Sequence, residues 1–178
     1  MTSLVRTSLA VAALLAAGPV SGQAIQASQS ATVSQWIADA HFEITYDRPV
    51  ARDREIWGAL VPWNEVWTPS ANLALQLRVN RGVLLAGQTL PAGAYSVWLE
   101  PKEGGAWRLL VHRDLEVAHN VVPSDGWVLE AAIEPRRDAD HMEALAAYFS
   151  DADYREGALD LHWGTTALRI PIEVPEGG

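Results

Sequence analysis

The chain has 178 residues, a length that suits one ordinary domain, and hydrophobic residues at 49% with charged ones at 20% can supply a packed core. Lys+Arg 13 against Asp+Glu 22 gives a formal net charge of -9, which argues against nucleic acid and anionic lipid as partners. No cysteine occurs, so disulfides, thiolate metal sites, a cysteine nucleophile and a lipid-modified cysteine are excluded, and stability has to come from the core.

In chain order, the first element is an address. Arg6, the apolar run Leu9 to Ala17, Gly18-Pro19 and the small residues Gly22 and Ala24 form the pattern of a secretory signal peptide over 1–24. The run is far short of the roughly 20 residues that cross a bilayer, so a mature form starting near Ile25 is expected without a membrane span, in the periplasm or the medium. Residues 25–32, rich in Gln, Ser and Ala, read as a flexible leader, and the domain is expected over 33–176.

Strand patterns then follow one another. Phe42, Ile44 and Tyr46 alternate with His41, Glu43 and Thr45, and Leu73, Leu75, Leu77 and Val79 alternate with Ala74, Gln76 and Arg78 before a turn at Asn80-Arg81-Gly82. Ala94 to Glu100, the loop Pro101 to Gly105 and Trp107 to His112 read as a hairpin. Inward rows are expected at Trp127, Leu129, Ala131 and Ile133, at Leu159, Leu161 and Trp163, and at Leu168, Ile170, Ile172 and Val174. Pro171 lacks a ladder donor and points to an edge strand. His141 to Ser150 fits a strand or a helical stripe, and sheet context favours the strand. Many short strands with Gly and Pro turns predict a mainly β fold, a single antiparallel β-sandwich with a long irregular segment between early strands.

Several segments carry a family resemblance: Val33 to Gln35, YDRPVARDREIWGALVPWNEVWTPSAN at Tyr46 to Asn72, LPAGAYSVWLEP at Leu90 to Pro101, and LDLHWGTTALRIPIEV near the end. In this order and spacing the chain resembles the bacterial family catalogued as domain of unknown function 2911, over nearly all of the mature chain. The resemblance implies an exported, mainly β domain without an established activity. Thr68 and Leu75 depart from it, standing where relatives usually have an arginine and a threonine, so a guanidinium fork and a hydroxyl are lost there.

Catalytic signatures are absent. No G-x-S-x-G elbow occurs, and the histidines at 41, 112, 119, 141 and 162 have no metal-ligand spacing, so neither metal nor cofactor is expected and catalytic residues stay unassigned. Asp151 to Gly157 resembles a calcium loop only superficially, because Arg155 takes an oxygen position and Gly157 comes one place late; it reads as an acidic solvated loop. Arg48, Arg52 and Arg54 either tie an irregular loop to carbonyls or form an anion site.

Eight tryptophans against two phenylalanines are the least ordinary feature. Trp107, Trp127 and Trp163 follow inward phases. Trp98 shares its phase with Ser96 and Glu100, and Trp57, Trp63 and Trp67 lie in the irregular segment, where they either line a groove for sugars or extended peptides or cap one end of the sandwich. The candidate binding residues are therefore Arg48, Arg54, Trp57, Trp63, Trp67, Asn72 and Trp98. Three functional classes remain: a non-catalytic binder of an envelope ligand or protein, a hydrolase or metal-dependent enzyme with a site assembled from dispersed carboxylates and His41, His112 and His162, and an envelope scaffold. For the histidines the alternative is solvated imidazoles on a sheet face.

Overall fold

A computed structural model describes residues 27–177. The expected signal peptide over 1–24 and the first two leader residues lie outside the described residues. Among the described residues there are only strands, turns and irregular segments, and no helix is long and apolar enough to cross a membrane.

One sheet contains β1 (Gln29–Ile37), β2 (Ala40–Arg48), β3 (Leu75–Val79), β6 (Gly93–Glu100), β7 (Trp107–His112) and β8 (Trp127–Ile133), in the order β1-β2-β3-β6-β7-β8. The second runs β10-β11-β12-β4-β5, from β10 (Met142–Asp153), β11 (Glu156–Gly164), β12 (Thr166–Glu173), β4 (Val83–Leu85) and β5 (Gln88–Leu90), with β9 (Pro135–Arg136) attached to β12. All pairings are antiparallel. The period-two patterns turn one row of each strand inward. Phe42, Ile44, Leu75, Leu77, Val97, Leu99, Leu109 and Val111 meet Leu145, Leu159, Leu161, Leu168 and Ile170 in one core.

The hairpin between β6 and β7 forms as expected, with Trp98 opposite Leu110 and Ser96 opposite His112. His141 to Ser150 falls almost wholly within β10, so sheet pairing overrides its helical propensity. Asn80-Arg81-Gly82 turns the chain, but into the other sheet, because β3 pairs with β2 and β6 while β4 pairs with β12.

Four local readings change. β1 begins at Gln29, so Gln29 to Thr32, expected as leader, pair with Arg48 to Thr45. Leu73, placed in an inward row, is 44% exposed because β3 starts only at Leu75. Trp127 lies on the outer face: opposite His112 and Val111 stand Trp127 and Leu129, so Val128 is an extra residue that reverses the phase of the strand start. Pro171 lies in β12, which is not an edge strand, since β11 flanks it on one side and β4 and β9 on the other. Its carbonyl accepts the Ala86 amide at 2.8 Å, so its nitrogen faces the gap between β9 and β4, where the ladder needs no donor.

Candidate functional site

The segment between β2 and β3 folds back across one end of the sandwich. Trp67 exchanges both backbone hydrogen bonds with Leu99 at 2.7 Å, and the Gly58 amide bonds the Val61 carbonyl at 2.8 Å. These anchors bring Trp57, Trp63 and Trp67 together over Trp107 and Trp163. Trp57 is the hub: its ring is edge-on to Trp107 at 4.7 Å and to Trp67 at 5.9 Å, and stacked near Trp63 at 6.4 Å. Trp67 stacks on Trp163 at 6.1 Å. The loop tryptophans are half-buried against the main core. A slot bounded by Trp57, Trp67, Pro69, His162 and Trp163 has room of about 10 Å³, enough for one water and no sugar ring. Trp57 Nε1 is buried without a hydrogen-bond partner, and a single water is the size of group that such a slot admits.

Trp98 does not join them. It is fully buried on the opposite face of β6, where Ala74, Leu110, Val66, Val117 and Trp127 surround it, and its indole donates to Ser96 Oγ at 3.0 Å. Residues 113–126, bound to the chain at Ala74 and Asn72 through Val117 and His119, cover a face that strand periodicity alone assigns to solvent.

The candidate arginines serve the backbone. Arg48 Nε donates to Leu145 O at 2.9 Å, Arg54 to Ala51 O and Val50 O at 2.8 and 2.9 Å, and Arg52 to Ala27 O at 3.0 Å. Asn72, at φ 62°, donates to Asp47 Oδ2 at 2.9 Å. Thr68, standing at the departure from the family pattern, is wholly buried; it donates to Val97 O at 2.7 Å and accepts from Leu75 N at 2.9 Å, tying the irregular segment to β6 and β3.

The histidines do not converge. His112 and His162 are 2% and 7% exposed, which corrects their expected solvation. His112 pairs with the carbonyl of Asp125 and accepts from Asp114 N at 3.1 Å, while His162 Nε2 is 2.8 Å from Asp140 O. They occupy the outer faces of opposite sheets, and His41 on β2 lies beside Trp36 of β1, the rings tilted with centroids 4.7 Å apart. Among the described residues no group of three His, Asp or Glu side chains is placed to hold a metal ion.

The outer face of the second sheet carries another candidate surface. There Tyr148, Asp160 and Arg169 are direct register partners across β10, β11 and β12. With Ser150, Glu134 and Arg136 they line an open groove of about 340 Å³, within the range of small-ligand sites. Asp160 is only 7% exposed, yet it makes no ion pair among the described residues; its one hydrogen-bond partner is the Ser150 hydroxyl. Arg169 reaches Ser150 Oγ at 3.4 Å and pairs with Asp151. A carboxylate offers about four acceptor positions, so most of the capacity of Asp160 is unused. Asp151 thus belongs to the end of a hairpin and is held by an arginine. Sequence reading missed this row, although Asp160 in the apolar run Ala158 to Trp163 was its visible signal.

The fold and this surface define a small antiparallel β-sandwich with a polar groove on one outer face. Residues 28–172 match the model of the family described as protein of unknown function (DUF2911), and the chain belongs to that family. No curated protein and no solved structure matches the chain.

Proposed function

We propose that this protein is an exported, non-catalytic binding domain of the cell envelope, and that its ligand is a neutral polyhydroxylated molecule of the envelope glycan class seated in the groove over Tyr148, Asp160 and Arg169. The observation that carries the reading is Asp160, a residue 7% exposed that lines an open groove and whose carboxylate has, among the described residues, the Ser150 hydroxyl as its one side-chain donor. The acceptor positions of that carboxylate left open by Ser150 face the groove, where ligand hydroxyls can donate to them. Glu134 and Asp160 alternate with Arg136 and Arg169, so acceptors and donors lie side by side without a strong net field, and the Tyr148 ring, 37% exposed, offers an apolar platform. Export is supported by the Arg6 charge, the Leu9 to Ala17 run and the small residues before Ile25.

Isothermal titration calorimetry of the protein purified from the exporting host, against soluble neutral envelope oligosaccharides, tests the binding. Saturable heat is expected from one glycan class. D160N keeps the Ser150 bond but loses the charge, and should weaken binding by about ten-fold or more, as a hydrogen bond to a charged group is worth about 1.5–3 kcal/mol. No heat from any glycan, or unchanged affinity in D160N, would overturn the proposal. N-terminal sequencing of the exported form should begin near Ile25; an intact Met1 would remove the export part.

A further inference from the structure

Of the four sheet edges, three are protected in the ways natural proteins use against edge pairing. β5 has only three residues. β8 carries the Val128 bulge and the charged Glu130, held by Arg108. β10 has two register irregularities and is covered by the chain after β2, through Ala51 N to Glu143 O at 3.0 Å and Leu145 N to Pro49 O at 2.9 Å. Among the described residues β1 has none of these devices: its nine residues, QSATVSQWI, contain no charge and no proline and pair with β2 without a bulge.

Hydrogen bonding fixes which way the β1 amides point. His41 N donates to Asn80 Oδ1 at 2.7 Å and His41 O accepts from Asn80 N at 3.3 Å, so the His41 backbone faces β3. Trp36, directly opposite His41, therefore turns its N–H and C=O away from β2, and Ser34, Thr32 and Ser30 follow by alternation. These four residues are exposed, and Trp36 is 58% exposed. Among the described residues, the outward backbone groups of Ser30, Thr32, Ser34 and Trp36 have one partner, the side-chain amide of Gln35 donating to Trp36 O at 2.8 Å. The free edge spans roughly 20 Å at about 3.3 Å per residue.

We infer that β1 pairs antiparallel with β1 of a second copy about a two-fold axis at Val33, joining the two first sheets into one continuous sheet. The charge pattern selects this occupant. Each chain carries a formal net charge of -9, yet this strip carries none, so two copies meet here without opposing like charges. The strip is also self-complementary, as an isologous contact requires. A centre at Val33 sets Ser30 opposite Trp36 and Thr32 opposite Ser34 of the second copy, all with outward-pointing amides, and covers both Trp36 rings with hydroxyl-bearing neighbours. It is the midpoint of the strand, so every shift by two residues shortens the pairing, and every shift by one opposes amides already bonded to β2.

Sedimentation equilibrium of the exported protein should give a two-chain mass at micromolar concentration. S34P removes an outward N–H while leaving the β2 ladder, and T32K places a charge beside its symmetry mate; both should give a one-chain mass, with thermal unfolding by circular dichroism reporting the fold, and T32K decides if S34P does not fold. The chain has no cysteine, so V33C is a clean reporter: at the axis the two residues lie within disulfide reach, and mild oxidation should yield a covalent dimer. A one-chain mass for the unaltered protein, a dimer surviving in folded S34P and T32K, or no crosslink through V33C would overturn the inference. The groove lies on the other sheet, so its ligand test fails or succeeds independently.

Discussion

Replacing Trp107 by alanine tests whether the tryptophan-capped end is a load on the fold or an ornament of it. The side chain is wholly buried, sits 4.7 Å edge-on from Trp57 and 6.3 Å from Trp63, and donates from Nε1 to Lys102 O at 2.9 Å. Truncating a buried Trp or Phe to alanine costs about 3–5 kcal/mol, and each aromatic pair adds roughly 0.5–1.5 kcal/mol beyond area, so the upper part of that range is expected. The lost hydrogen bond adds little, because Lys102 O also accepts from Arg137 Nη2 at 3.0 Å and is not orphaned. W107F, which keeps a ring there, should therefore lose only about 1–2 kcal/mol. At roughly 2–4 °C per kcal/mol for a domain of this size, W107A should melt roughly 8–20 °C lower. Urea unfolding at one protein concentration, followed by far-ultraviolet circular dichroism, measures both variants. A loss below about 2 kcal/mol in W107A, or equal losses in the two variants, would refute the packing argument.

Three further outcomes are expected. Gly58 has φ 86°, and a Cβ there would lie 2.6 Å from Trp63 Nε1, so G58A should cost about 1–3 kcal/mol and shift the tryptophan emission; unchanged emission and stability would mean that Trp63 is not held by this turn. Y46F removes the hydroxyl that accepts Ala147 N at 2.8 Å between the sheets, and should cost about 1–3 kcal/mol in urea unfolding; a neutral result would show that the amide finds another partner. The Lys102 ammonium first, and the Arg108 guanidinium with it, hold the Glu100 carboxyl below its ordinary pKa. A lowered folded pKa contributes stability that is complete above the unfolded value of about 4.3 and is lost as the pH falls through the folded value. Urea midpoints should therefore fall on acidification less in E100Q than in the unaltered protein, and identical acid dependence would remove Glu100 as a contributor.

Much of the architecture was legible in the residues. The alternation at Phe42 to Tyr46, the hairpin from Ala94 to His112 and the rows around Leu161 and Ile170 are local signals, because a strand with one buried face writes its period into its own sequence. The role of the arginines as loop anchors was open in the sequence, since whether a guanidinium meets a carbonyl or a ligand depends on chain brought from elsewhere. Trp98 shows the same limit: its phase was read correctly, but residues 113–126 bury the face it occupies. Trp127 failed for another reason, as one extra residue at Val128 reverses a phase without leaving any mark in composition.

The sequence by itself determined that this chain forms pleated strands around a cysteine-free core, because burial of one side chain in two is decided residue by residue. Only the tertiary structure decided which strands became neighbours, and with that which polar side chains share a face and which edge stays unpaired. Tyr148, Asp160 and Arg169 form a row because three strands pair in one register, and β1 is left open because every other edge acquired a cover, a bulge or a short length. Both outcomes depend on contacts between distant segments, and such contacts exist only once the chain has closed on itself.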